Sequence, residues 1–411
     1  MKKVNLSLCL SLIYMLACLS PVYAGSNVKG AVINVPGEIG KSVNVAVGKN
    51  SRADQSSIKL QSLDMGGAVI NIDQGRQNVN VAVGNKAEAA QASTILGGKL
   101  RGAVVNTNLV NKSINVAVGN RVKASQASII TKGSNVTGVI ANTAVGQNAV
   151  NVAVGNRVEA SQSSVIMKNS KMTGAVLNTA VGQNLVNVAV GNRVEASQAT
   201  VKMTGSTVKG AVINTAIGQN LVNVAVGNRA EARQVATSLE NSKVTGAIIN
   251  TAVGQNLVNV AVGNRVEANQ AATKMKNSSL TGAALNTIGA LGAVNVAVGN
   301  RAEANQAAVK LENSKVKGAL VNTVVGGAIN VAVGNRVEAN QAAVKMKNSN
   351  LKGNVINTVA GAAVNVALGN RVEANQAAVK MKNSNLKGNV INTVAGAAVN
   401  VALGNRVEAN Q

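Results

Sequence analysis

Short runs of Val and Ala, broken by single Asn and Gly residues, recur along this 411-residue chain at a constant interval. The phrase Asn-Val-Ala-Val-Gly-Asn, or a close variant, begins at Asn44, Asn80, Asn115, Asn151, Asn187, Asn223, Asn259, Asn295, Asn330, Asn365 and Asn400. Eleven copies, 35 or 36 residues apart, mark a repeat architecture in which each unit completes its core against its neighbours. The apolar runs are short, Val-rich and bounded by Gly-Asn or Gly-Gln, as strands are. Helical repeats of this period need two long helices, which Gly182 and Gly191 would interrupt. The pattern predicts an all-β solenoid of eleven stacked repeats with about three strands each, near residues 174–178, 186–190 and 194–202 of one unit. The middle strand is apolar or Asn on both faces and is expected to be sandwiched. The third sets Arg193, Glu195 and Ser197 against Val194, Ala196 and Gln198, and is expected to be half-exposed. Such a unit reads as a folded-over, Greek-key-like layer; two coils of about 18 residues per repeat are the alternative.

Two further columns align with the first. One asparagine ends each Gly-Ala-Val-Ile-Asn-like phrase: Asn34, Asn71, Asn106, Asn142, Asn178, Asn214, Asn250, Asn286, Asn322, Asn357 and Asn392. A glutamine follows eleven residues after each Asn-Val-Ala-Val asparagine: Gln55, Gln91, Gln126, Gln162, Gln198, Gln234, Gln270, Gln306, Gln341, Gln376 and Gln411. Equivalent residues of stacked layers lie about 4.8 Å apart, so a buried amide can donate to the copy on one side and accept from the copy on the other. All three columns are expected to form such ladders. A turn-forming role suits Asn192, in Gly-Asn, but not Gln198, which lies mid-strand. The last three units shorten the gap between their two asparagines by one residue, which marks a turn there.

Charge is also arranged in columns. Arg157, Arg193, Arg229, Arg265, Arg301, Arg336, Arg371 and Arg406 align, and two residues on stand Glu159, Glu195, Glu231, Glu267, Glu303, Glu338, Glu373 and Glu408. On one face these read as stripes of opposite sign that offset each other's repulsion and hold register. Lysines gather in turns such as Lys345-Met346-Lys347-Asn348-Ser349 and at Lys352, Lys380, Lys382 and Lys387, an edge expected to carry the excess positive charge.

The N-terminus changes what composition means. Met1-Lys2-Lys3, an apolar stretch from Val4 to Leu19 and Val22-Tyr23-Ala24 lay out a secretory signal peptide of residues 1–24, leaving 25–411 as one repeat domain with an atypical first repeat. A lipoprotein signal ending at Cys18 is the rival reading. Export would remove both Cys and both Tyr, leaving a chain with no Cys, Trp, Tyr, Phe or His and hence no disulfide staple. Of the 40 basic residues only Lys2 and Lys3 would be lost, against 15 acids, leaving a net charge of +23. That charge suits polyanions such as acidic polysaccharide, lipopolysaccharide or extracellular DNA. The usual general bases, thiol nucleophiles and zinc ligands are missing, so no catalytic site, metal site or cofactor is expected. Without aromatic residues to stack on bases, no specific nucleic-acid recognition is expected either.

Asn-Val-Ala-Val-Gly-Asn followed by Gln resembles the Asn-Val-Ala-Ala-Gly…Asn-Gln-Gln repeats of the Fap bacterial functional amyloids, and the ordered Asn and Gln columns are similar to those of curlin repeats. The resemblance implies a secreted bacterial subunit that polymerises with its own kind, outside the cell or at its surface, into biofilm-matrix fibres, helped by a nucleator or export pore. A strand edge left open where the chain stops at Gln411 is expected to template the next copy. The alternatives are a monomeric β-solenoid surface adhesin and a polyanion-binding protein.

Overall fold

The computed structural model describes residues 86–410 without a break and, before them, 23–24, 27–29, 32–34, 39–47, 52–66 and 68–83. Cys18, Pro36 and Gln411 lie outside the described residues, as does almost all of the expected export segment. The side chains of Asn44, Asn80, Gln55, Arg406 and Glu408 are likewise outside them.

The 35–36-residue period becomes the pitch of a parallel β-solenoid. Strands pair in parallel with the equivalent residues one repeat on: Asn250 with Asn286, Asn259 with Asn295, Arg265 with Arg301. One repeat therefore makes one full turn, not two. The eleven sequence copies give about nine turns, because the first copy is described only in short pieces and the last coil is partial.

One regular coil shows how the sequence makes the turn. A short strand, Lys243–Thr245, leads into a long one, Ile248–Val262, which bends near Gly254; an inner strand, Arg265–Lys276, runs back beneath it. Asn277 then turns the corner at φ 50°. Asn or Gly takes this left-handed position in each coil from Gly133 onward, Gly133 and Gly205 standing there in two of them, because both tolerate it at small steric cost. At Gly282 the constraint comes from stacking: a Cβ would lie 1.8 Å from the carbonyl oxygen of Gly246 one coil below.

The core lies between the long strand and the inner strand. Val244, Ile248 and Met275 fill one end, Leu257 and Ala271 the middle, and Ala261, Val266 and Ala268 the narrow end. Two expectations are reversed here. The middle segment is not sandwiched: Leu257, Asn259 and Ala261 point inward, while Val258 and Val260 are half-buried and Val262 is 36% exposed. The third strand, expected to be half-exposed, is the buried one, from Ala268 through Thr273. The reason is a kink. Ladder pairing steps over Gln270, after which Ala271, Thr273 and Met275 face the core in place of the alternate set. On the other side the strand becomes concave.

The one-residue deletion falls at the bend of the long strand. Register shifts between Ala290 and Ala293, and Leu291 is thrown outward, 79% exposed. The gap in the pattern is a turn, as its length variation implied.

Candidate functional site

Nothing in the described residues gathers into a convergent pocket; the functional features are columns running along the stack. The first asparagine column is a hydrogen-bonded ladder. Each Nδ2 donates to the Oδ1 one coil on: Asn34 to Asn71, Asn71 to Asn106, Asn106 to Asn142, Asn142 to Asn178 and Asn178 to Asn214, at 2.8–3.0 Å. It resumes from Asn250 through Asn286, Asn322 and Asn357 to Asn392 at 2.9–3.0 Å. Between Asn214 and Asn250 it is broken: Asn214 Nδ2 donates to the carbonyls of Ala199 and Ala236 at 3.0 and 2.9 Å, and Asn250 Oδ1 accepts from the Thr237 hydroxyl at 2.7 Å.

The second column is shorter in its runs. Asn115, Asn151, Asn187 and Asn223 are linked at 3.0 Å, and Asn259, Asn295 and Asn330 at 2.9–3.0 Å. At Asn223 and Asn365 the amide turns instead to a carbonyl of the inner strand, Arg233 O and Asn375 O.

The described glutamines do not ladder. Gln162, Gln198, Gln234, Gln270, Gln306, Gln341 and Gln376 each donate to a main-chain carbonyl across the core, as Gln270 does to Leu257 O and Val294 O at 3.1 Å. Gln91 does the same to Asn78 O. Gln126 is buried, but its Nε2 lacks a partner. The kink at this position explains the choice: where two bent strands face each other, main-chain carbonyls point inward and a buried carbonyl must be satisfied. Asn250 serves the same purpose, donating to Ala272 O at 3.1 Å. The three amide columns thus close the two bends against each other.

The charged columns also pair differently from the stripes expected. The glutamates do not answer the arginines. Glu267 bonds Lys274, seven residues along the same strand and beyond the kink, at 2.6 Å, and Lys310 of the next coil at 2.6 Å. Lys310 bridges onward to Glu303, and Lys345 links Glu303 and Glu338. Lys380 continues to Glu338 and Glu373, and Lys202 joins Glu195 and Glu159. The result is a Glu–Lys zipper lying over the concave face. Burial alone would push the Glu303 carboxyl up, but Lys310 and Lys345 outweigh it and hold it down at about 2. Against the same burial, Lys274 and Lys310 hold Glu267 well below its usual range. Lys345 and Lys380 are therefore committed to the zipper and do not sit on a free basic edge.

Arg157, Arg193, Arg229, Arg265, Arg301, Arg336 and Arg371 are exposed and in register, with Arg121 before them and the Arg406 main chain after. None has an ion pair among the described residues.

Sequence reasoning missed several columns. Asn269, Asn305, Asn340 and Asn375 ladder at 2.9–3.1 Å and each donates to the glutamate two residues before it. Ser242, Ser278 and Ser314 hold the corner, each hydroxyl accepting from the main-chain N–H of the preceding coil's serine at 3.1–3.2 Å. Asn192, read as a turn former, also belongs to an exposed ladder from Asn120 to Asn405. The signal was the repeat period itself, which these residues obey.

No protein-family model matches the chain, and neither a curated protein nor a solved structure matches it.

Proposed function

We propose that the chain is a secreted structural protein that self-assembles into extracellular, amyloid-like fibres of a biofilm matrix. The observation that supports this is the nature of the contact between coils. Each coil meets the next by translation, through parallel strands and head-to-tail amide ladders, so its upper face fits its own lower face. A head-to-tail contact of this kind does not close on itself and propagates. Residues 336–370 and 371–405 are identical in sequence, so a coil from a second copy would meet the same groups as one from the same chain. Export by a signal peptide belongs to this proposal.

The test is negative-stain electron microscopy and fibre diffraction of the purified protein. Unbranched filaments with a meridional spacing of about 4.8 Å are expected. Particles that stay monodisperse at high concentration would reject assembly and leave a monomeric solenoid adhesin as the reading.

A further inference from the structure

The zipper changes the meaning of the positive charge. In the coils from Glu231 to Glu373 each lysine lies between two glutamates, and from Glu267 to Glu338 each glutamate lies between two lysines, so that face is close to neutral within itself. The arginine row, two residues away, forms no ion pair with those glutamates among the described residues, because the lysines occupy them. Its members stand about 4.8 Å apart, close enough for strong mutual repulsion in the absence of an anion. The opposite margin of the same strand provides an internal control. There Glu240, Lys276, Glu312 and Lys347 stack with alternating sign, and Lys347 pairs with Glu312 at 3.2 Å. Alternation is thus available to this fold, and the arginine row does not use it.

The row lines one side of a groove of about 1610 Å³ that runs from coil to coil between Arg121 and Arg371, and the glutamates of the zipper, Glu159 to Glu373, line it too, their charge engaged by the lysines in the later coils. Beside it lies the exposed ladder of Asn156, Asn192, Asn228 and Asn264. Within that ladder a carboxamide uses one N–H and one oxygen lone pair, leaving one donor and one acceptor facing water.

We infer that the arginine row is a binding site for a linear, carboxylated polysaccharide laid along the solenoid axis. Guanidinium groups match carboxylates in paired, planar hydrogen bonds. A polymer with one carboxylate on each sugar ring offers anions in a straight file, and its hydroxyls suit the neighbouring amides. Nucleic acid fits less well. Duplex phosphates spiral away from a straight row, and the chain has no Trp or Phe to stack on unpaired bases. The inference does not rest on fibre assembly, because the whole row lies on one chain.

Polygalacturonate is the probe, titrated calorimetrically into the purified protein, with its fully methyl-esterified form and DNA, duplex and single-stranded, as comparators. The acidic polymer is expected to bind, more weakly as salt rises, and the esterified one to fail. Replacing Arg193, Arg229, Arg265, Arg301 and Arg336 by Gln is expected to weaken binding about a hundredfold at fixed salt, through lost counter-ion release. The same change at the exposed Lys171, Lys209, Lys243, Lys276 and Lys315 is expected to cost less than about fivefold. Equal losses would overturn the site in favour of diffuse attraction, and tighter binding of either DNA would overturn the ligand class. Should the arginine variant fail to fold, phenylglyoxal labelling of the unaltered protein decides: bound polymer must shield the row's arginines selectively.

Discussion

The coils before Arg193 and those after Arg265 share one core and differ on the concave face of the inner strand. In the later coils that face reads Glu267, Asn269, Ala272, Lys274, and each of the three polar side chains is bonded. In the earlier ones it reads Lys123, Ser125, Ser128, Ile130 and then Glu159, Ser161, Ser164, Ile166. There the hydroxyls of Ser125, Ser128, Ser161 and Ser164 are buried without a partner, as is Lys123 Nζ. Between the two regions, Ser238 stands where the zipper lysine belongs. Arg233 fills in from the asparagine position, pairing with Glu195 at 3.4 Å and with Glu231. A buried polar group without a partner costs free energy that a completed network recovers. The comparison teaches that in-register strand pairing, with the amide columns beside it, runs through both regions, and that the concave face adds stability only where its charges are complete.

The largest effect tests the common part. Asn142→Leu and Asn286→Leu each remove the donor to facing carbonyls (Ala127 O and Ser164 O; Ala308 O) and to the next asparagine. Each is expected to cost about 3 kcal/mol, read as lost amide protection in the coils on either side. Equal losses in the two regions are expected. A much smaller loss at Asn142 would mean that the earlier coils are not held by their ladder.

Next comes the junction. Arg233→Asn leaves Glu195 with Lys202 alone and Glu231 with Lys274 alone, at a cost of about 2 kcal/mol. Adding Ser238→Lys should recover most of it, because the regular pattern is then restored. A double-mutant cycle with no coupling would show that Arg233 acts by packing instead.

The pattern of the chain made much of this legible. Period and in-register stacking follow from Asn250 and Asn286 being equivalent, and a buried asparagine among valines has few uses other than a ladder. What could not be read was the kink at Gln270. Strict alternation carried through it places the inner strand outside, gives the glutamine a ladder of its own and makes Arg265 the partner of Glu267. The bend breaks alternation, turns carbonyls inward for the glutamine and brings Lys274 over to Glu267. A local departure from period two, caused by facing bends, accounts for all three differences.

Two carboxyls, one in each region, respond to acid with opposite sign. Glu303 titrates at about 2 when folded, below its ordinary range, so its contribution is complete above about pH 4.5 and is lost as pH falls toward 2. Asp73, in the early coils, is the opposite case: burial pushes it up to about 7, against a hydrogen bond from Asn78. The folded state then holds the proton more tightly than the unfolded, and stability falls as pH rises from about 4 to 7. Region-resolved exchange, corrected for intrinsic rates, should show the later coils loosening toward pH 2 by about 1.5 kcal/mol, with solvent screening of the 22% exposed Glu303 allowed for. The earlier coils should loosen between pH 4 and 7, and Asp73→Asn should abolish that change alone.

The smallest effect is the most discriminating, since it asks whether the later face can be moved. Lys123→Glu, Ser161→Asn and Ile166→Lys together would write the zipper into the early coils. The ammonium introduced at position 166 would then reach Glu159 in its own coil and the new carboxylate at position 123 below. The amide introduced at position 161 would donate to Glu159. Ile166 is only half-buried, so little apolar burial is lost in the exchange. A gain of about 1 kcal/mol is expected at pH 7, in the range of partly exposed ion pairs, and it should vanish at pH 2. A gain that survives acid would assign the difference between the regions to packing, and the charge pattern would lose its standing as the cause.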